Sequence, residues 1–416
     1  MVVVLCVSGE WCLEAKSLTF DVLVSLKFKF AFPRTSGLWC SSQSQLSDSK
    51  LAHRSNSASA ATLLCHDVML SYHGRRLIAQ APRTMSKSVF KLNCNIHWIF
   101  DWDGTLTKTD TLDTLVTIAR EVKPDSNVLE EWKRVSKAYL TDYEAALKNC
   151  NRRLPTTVSE ERALLLRLRD VEQQSINRIS RSATPLFQGL TSRDIHAGAV
   201  KAIESGQVQL RDGCHDLCQH IRTRQARSRP SLDRVNVLSV NWSQTFIAEC
   251  LNAARIALKA ETHVFLRPME EDGLAEAAPF SIMVYANELK GIDDFDRGSS
   301  GTIDTTGLSI SEKKLILSSA DKLRYLQHLS KLNPQPTVYM GDSWTDFECL
   351  LAADLGICIR DEPPSSSQAK LADCLHRLGI ACPPISEWDK TDEWGVVWAR
   401  DFVEVRDWLR KLESSS

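Results

Sequence analysis

Residues 95–100 form a short apolar run that stops at Asp101-Trp102-Asp103-Gly104-Thr105, an acidic turn with a glycine. A run of that length closed by such a turn predicts a buried strand and then a loop. Beyond it the period changes. Val128, Trp132, Val135, Tyr139 and Tyr143 recur every three or four positions and predict one helical face. Helical spacing continues over 160–179 and Ser192–Glu204, so the middle of the chain is expected to be almost all helix. Strand signals return at 234–239, followed by an expected helix over 244–258. Ser281–Tyr285 reads as a short strand, 293–307 as a loop rich in Gly, Asp and Ser, and 321–332 as a helix. Residues 337–340 make another short buried strand before Gly341-Asp342-Ser343, and Leu355–Ile359 is expected to close the series.

Strands alternating with helices predict an α/β fold, a Rossmann-like parallel sheet covered on both faces. In such sheets ligands bind beyond the carboxyl ends of the strands. The acidic turns after Phe100 and Met340 fall there, as does Ser239. Residues 1–84 differ from the rest. Positions 36–59 are serine-rich with little apolar periodicity, which predicts a poorly packed segment. Between 69 and 100 there is no acidic residue, while Arg75, Arg76, Arg83, Lys87 and Lys91 are basic. Two readings follow: a mitochondrial presequence, or an upstream extension of a chain that starts at Met85. The expected organisation is an extension over 1–84, a core over 85–107 and 210–416, and a helical cap inserted over 108–209.

Composition narrows the partners. The 416 residues carry a formal net charge of −1, with 43% apolar and 25% charged residues. Such a balance supplies material for a core and offers no general attraction to nucleic acid or anionic membrane. No stretch reaches the roughly 18 apolar residues of a membrane span. The expectation is a cytoplasmic protein, with the mitochondrion as the alternative. The 13 cysteines have no repeated spacing. Cys214 and Cys218, one helical turn apart, make neither a redox motif nor a zinc half-site. They point to reduced thiols packed as small apolar groups.

The acidic turns carry candidate chemistry. Hydrolysis of a phosphomonoester needs charge neutralisation, an in-line nucleophile and a proton for the leaving oxygen. Two aspartates spaced two apart after a strand can divide that work. Asp101 would be the nucleophile, and Asp103 would serve as general acid and then base. Gly104 would let the backbone pass close to the phosphate, beside Thr105. Asp101 and Asp342 would meet at the sheet edge as a hard oxygen site suited to Mg²⁺. Asp346 would orient a metal-bound water or Lys322, next to Ser343. Ser239, with the backbone of Val240 and Asn241, would bind phosphate oxygens, and Lys322 would supply a positive charge to Asp101 and the phosphate. Trp132, Tyr139 and Tyr143 would stack on a ring or pack as core. Asn287 and Glu288 would support the site or merely close a strand.

The order of these motifs resembles the haloacid dehalogenase superfamily over about residues 87–409. Motif one is Asp101-Trp-Asp-Gly-Thr-Leu-Thr, motif two Val-Leu-Ser239, motif three Lys322, and motif four Gly341-Asp-Ser-Trp-Thr-Asp346. The resemblance implies a Mg²⁺-dependent phosphatase acting on a small molecule through an aspartyl-phosphate. It adds the backbone carbonyl of Asp103 as a metal ligand, and the second aspartate of motif one points to phosphatases rather than dehalogenases. Residues 235–243, 285–289 and 338–354 further resemble the phosphatase domain of plant bifunctional thiamine-biosynthesis enzymes, which dephosphorylate thiamine monophosphate, and fungal relatives. The chain departs from the plant enzymes in lacking a recognisable thiaminase-type domain, and Trp344 is bulkier than the residue often found there. A phosphotransferase using the same intermediate, or a catalytically silent binding protein, are the alternatives.

Overall fold

A computed structural model describes residues 95–150, 154–182, 185–227, 233–256, 259–261, 281–305, 314–332, 334–390 and 395–414. The expectations for 1–84 and for Met85 lie outside the described residues. At the centre is a seven-stranded sheet. Its strands are β1 (His97–Phe100), β2 (Arg234–Leu238), β3 (Lys259–Glu261), β4 (Ser281–Tyr285), β7 (Thr337–Gly341), β8 (Leu355–Ile359) and β9 (Val396–Ala399). They run in the order β3-β4-β2-β1-β7-β8-β9, and every pairing is parallel. A separate antiparallel pair joins β5 (Asn287–Leu289) to β6 (Ile303–Thr305).

Side chains alternate across the sheet, as the two-residue period of a strand requires. Trp98, Phe100, Val235, Val237, Val338 and Met340 enter one apolar cluster. Ile99, Leu238 and Tyr339 enter another on the opposite face. The first face is covered by α5 (Cys214–Arg227), α6 (Gln244–Ala253) and α10 (Phe402–Ser414). The second is covered by α7 (Ser319–Leu332), α8 (Phe347–Ala352) and α9 (Ser366–Arg377). With helices on both faces, β1, β7 and β8 are buried along their length, as inner parallel strands are.

Between β1 and α5 the chain makes a helical excursion. It leaves at Thr107 and returns at Leu210, which pair as an antiparallel bridge. Lys108 N–H donates to the Gln209 carbonyl (2.9 Å) and Arg211 N–H to that of Leu106 (2.8 Å). The excursion holds α1 (Leu112–Val122), α2 (Val128–Cys150), α3 (Val158–Ser180) and α4 (Ser192–Glu204). Thr157 with Glu160, and Thr191 with Asp194, close reciprocal caps at the starts of α3 and α4. Each cap satisfies backbone N–H groups that a helix start leaves open.

Several elements depart from the sequence expectations. The helix expected over 244–258 ends at Ala253, because Arg255 adopts a left-handed φ of 56° that interrupts it. The loop expected over 293–307 contains β6, and β9 rather than β8 closes the sheet. No helix among the described residues is long and apolar enough to cross a membrane.

Candidate active site

The sheet order reverses around β1, which has β2 on one side and β7 on the other. That reversal opens a crevice at the carboxyl ends of the strands. Asp101 and Asp342 directly follow β1 and β7, and Asp101 N–H is tied to the Met340 carbonyl at 2.9 Å. Oxygens of Asp101, Asp342 and Asp346 lie within 4.8 Å of one another, and all three residues are buried.

The three carboxylates are not equivalent. Asp346 has both oxygens committed. Oδ1 accepts from Lys322 Nζ (2.7 Å) and the Tyr339 hydroxyl (2.7 Å). Oδ2 accepts from the N–H groups of Asp342 (3.2 Å) and Ser343 (3.1 Å) and from the Ser343 hydroxyl (3.0 Å). It therefore shapes the turn and holds the ammonium. Among the described residues Asp342 takes two longer bonds, from the hydroxyls of Thr105 and Ser367, each at 3.2 Å. Asp101 pairs with Lys322 Nζ at 2.8 Å. Asp101 and Asp342 thus keep lone pairs for a further ligand.

The electrostatics point the same way. Burial, then the charge of Asp346, holds the Asp101 carboxyl above the usual carboxylate range despite Lys322. Burial, Asp346 and Asp101 raise that of Asp342 well above it. Burial works to lower the Lys322 ammonium, but the charges of Asp101 and Asp346 outweigh it and hold its pKa above normal. Three buried carboxylates around one ammonium leave an excess of negative charge that a hard divalent cation fits. Among the described residues no histidine or cysteine joins the group, and a donor set of carboxylate oxygens suits a hard cation better than zinc.

Gly104 sits at φ 73°, and a Cβ there would meet Asp342 Oδ2 at 2.4 Å. Only glycine lets the turn after β1 close on the β7 loop in this way. Asp103 belongs to a neighbouring arrangement. Its Oδ1 accepts from Thr111 N–H (2.8 Å) and hydroxyl (2.7 Å), and its Oδ2 from Asn241 Nδ2 (2.9 Å). Burial raises its carboxyl pKa against those three donors. Ser239 follows β2 fully buried, and its Oγ accepts from Asn241 N–H at 3.2 Å. The hydroxyl proton is left to point at an acceptor. Val240 packs against the second apolar cluster, and its carbonyl accepts from Asn287 Nδ2 at 3.1 Å.

Asn287 binds three carbonyls, of Val240, Asn241 and Ile316, while its Oδ1 takes Ile316 N–H at 2.8 Å. It ties the Ser239 loop to the segment leading into Lys322. Glu288 accepts from Ser243 and Thr245 at the start of α6. Trp132 packs edge-on to Trp242 (ring centroids 5.9 Å) and donates to Asp113 (2.7 Å), a packing role.

Two contributors are absent from the sequence expectations. Arg211 is 5% exposed and donates to the carbonyls of Thr105 (3.1 Å) and Gly104 (2.7 Å) while pairing with Asp361. Thr111 fastens Asp103. The signal for Arg211 was its place at the return of the helical excursion; Thr111 gave none.

No family model matches the chain. A CTO1 family protein of Schizosaccharomyces pombe is 30% identical over 287 residues, 68% of this chain and 85% of that protein. The chain belongs to the CTO1 family. Cold tolerance protein 1 of Saccharomyces cerevisiae is 25% identical to this CTO1 family chain over 321 residues, 72% of it and 89% of the yeast protein. The mitochondrial bifunctional TH2 protein of Arabidopsis thaliana is 24% identical over 306 residues, 68% of this chain and 42% of that one. Among solved structures, a phospho-aspartyl intermediate analogue of phosphoserine phosphatase superposes with a TM-score of 0.36 at 17% identity, covering 68% of this chain and 90% of that one. A phosphoserine phosphohydrolase-like protein of Francisella tularensis gives 0.39 at 15%, covering 75% and 98%. The CTO1 family chain combines a parallel sheet with aspartates just past its strand ends and a buried lysine beside them.

Proposed function

We propose that this CTO1 family chain is a Mg²⁺-dependent phosphatase of small-molecule phosphomonoesters. The reading rests on one observation: Asp101, Asp342 and Asp346 gather around Lys322 at the carboxyl edge of the sheet, with more negative charge than the ammonium offsets. Bound Mg²⁺, held by Asp101 and Asp342 and, by the family resemblance, the carbonyl of Asp103, would neutralise phosphate charge and draw it toward the nucleophile.

The protein groups divide the remaining work. Lys322 and the Ser239 hydroxyl bind phosphate oxygens. An Asp101 oxygen attacks phosphorus, and the bond to the leaving oxygen breaks as Asp103 delivers its proton there. Burial raises the Asp103 carboxyl, the direction that suits a general acid. Asp103 then takes a proton from water as that water attacks the aspartyl-phosphate, freeing phosphate and restoring Asp101.

Thiamine monophosphate is the specific substrate proposed. Its support is the resemblance of residues 235–243, 285–289 and 338–354 to the phosphatase domain of the plant thiamine enzymes. The test is phosphate release from a metabolite panel, with and without Mg²⁺, in wild type and Asp101→Asn. Release that needs Mg²⁺ and falls more than about tenfold in the variant, roughly 1.4 kcal/mol of barrier, supports the phosphatase reading. Phosphate appearing on added alcohols instead of in solution makes the chain a phosphotransferase. A kcat/KM for thiamine monophosphate no better than the panel median removes it as the preferred substrate.

A further inference from the structure

The helices α2 and α3 each contribute to both apolar clusters, and each carries a hydrogen-bonding side chain midway between its contributions. On α2, Val135 enters the first apolar cluster and Tyr143 packs on the second. Tyr139 stands midway, four residues from each. On α3, Leu168 belongs to the second cluster and Ile176 to the first. Glu172 stands midway there, again four residues from each. Residues four apart share a helix face, so Tyr139 and Glu172 lie on the stripes that link the two clusters. They meet: the Tyr139 hydroxyl donates to Glu172 Oε1 at 2.7 Å.

Three contacts place this pair over the candidate site. Ahead of Tyr139 on α2, Trp132 packs on Trp242, three residues past Ser239. Beyond it, Tyr143 and Trp344, two residues past Asp342, share the ammonium of Lys370 at 5.2 and 5.9 Å from their ring centroids. Between them, Tyr139 feels the charge of Asp110, whose neighbour Thr111 holds Asp103. The pair therefore lies above the span from the Ser239 loop to the Asp342 loop.

The chemistry at that point is unbalanced. Glu172 is partly buried, and burial pushes its carboxyl up to about 7, opposed only by the Tyr139 hydrogen bond. Among the described residues no cationic side chain pairs with it. Beside it the rings of Tyr139 and Tyr143 stack with centroids 6.0 Å apart. A carboxylate with no counter-charge among the described residues, next to aromatic faces, is a setting in which an organic cation is stabilised twice, by charge and by the ring faces.

Resting on the phosphatase reading, we propose that Glu172, with Tyr139 and Tyr143, recognises a positive charge on the leaving group, so that the substrates are phosphomonoesters of cationic alcohols. The contribution is to specificity rather than to the bond-breaking step.

A matched pair of esters tests this: choline phosphate and its neutral carbon isostere, 3,3-dimethylbutyl phosphate. Nitrophenyl phosphate, with and without Asp101→Asn, reports phosphatase activity separately. Wild type is expected to favour the cationic ester by tenfold or more in kcat/KM. Glu172→Gln, which keeps shape and an acceptor for Tyr139, is expected to lower kcat/KM for choline phosphate at least tenfold more than for the isostere. Equal use of both esters by wild type, or equal losses in Glu172→Gln, would overturn the inference while nitrophenyl phosphate turnover keeps the phosphatase reading. No release from any ester would sink that reading, and the inference with it.

Discussion

Lys322 Nζ lies 2.8 Å from Asp101 Oδ1, and the two side chains are 0% and 4% exposed. The same ammonium reaches Asp346 at 2.7 Å. Taking it away leaves like charges facing each other out of water. Breaking a buried pair in this way costs about 3–5 kcal/mol. Lys322→Met is therefore expected to melt well below wild type and to lose activity. Added Mg²⁺ should restore part of the melting temperature, because it replaces the missing positive charge. Thermal melts with and without Mg²⁺ provide the check. An unchanged melting temperature in metal-free Lys322→Met would show that the ammonium does not hold the carboxylates together.

Asp103 makes its contacts through Thr111 and Asn241 rather than through the carboxylate cluster. Its proposed task is protonation of the leaving oxygen. A nitrophenolate leaves without much help, whereas an alkoxide does not. Asp103→Asn should thus slow alkyl phosphates more than nitrophenyl phosphate, by on the order of ten- to a hundredfold in the first turnover. Rapid-quench measurement of that step on both ester types is decisive. Equal losses would remove the acid role.

Arg211 grips two successive carbonyls in the turn that carries Asp103 and Gly104, and it anchors to Asp361. Those carbonyls flank the approach of Gly104 to Asp342. Arg211→Met should loosen the turn and raise the Mg²⁺ concentration needed for half-maximal rate about tenfold or more. Arg211→Lys keeps the charge but cannot fork to both carbonyls, so it should fall between. Mg²⁺ titrations of the three proteins read this out. A lowered melting temperature with an unchanged Mg²⁺ requirement would make Arg211 a stabilising residue only.

How much of this was legible in the sequence depended on distance. β1 and β7 are short runs buried on both faces and stopped by acidic turns, so apolar continuity alone marked them. β3 reads Lys-Ala-Glu and owes its strand geometry to its pairing with β4. Nothing local distinguishes it. β6 hides in a stretch of turn-forming residues and exists through β5. The site followed the same rule. Asp101, Asp342 and Lys322 stood out because their order along the chain carried a pattern. Arg211 and Thr111 matter through partners that only the fold supplies. Glu172 carries no local signal of its own, since the helix packing that buries it is a tertiary fact.

A last expectation concerns His97, at the start of β1 beneath the site. It is fully buried, and Nε2 lies 2.6 Å from Asn236 Nδ2 on β2. Burial, helped by the charge of Arg234, lowers its pKa to about 4. An unfolded histidine titrates near 6.5. As pH falls through that range the unfolded chain takes up a proton that the folded chain refuses. The contribution of His97 to stability is thus fully present above about pH 6.5 and is lost as pH falls toward 4. The loss amounts to about 2–3 kcal/mol between pH 7 and pH 4.5. Carboxylates raised by burial, such as Glu172, bind protons more readily when folded and act in the opposite sense over part of this window. The wild-type slope alone therefore does not isolate the histidine. His97→Gln keeps an acceptor for Asn236 and cannot titrate. Urea unfolding at both pH values should give a smaller fall in stability for the variant, by about 2–3 kcal/mol. Identical falls in the two proteins would mean that His97 accepts its proton in the folded state, and that the β1–β2 seam is more open to water than its burial implies.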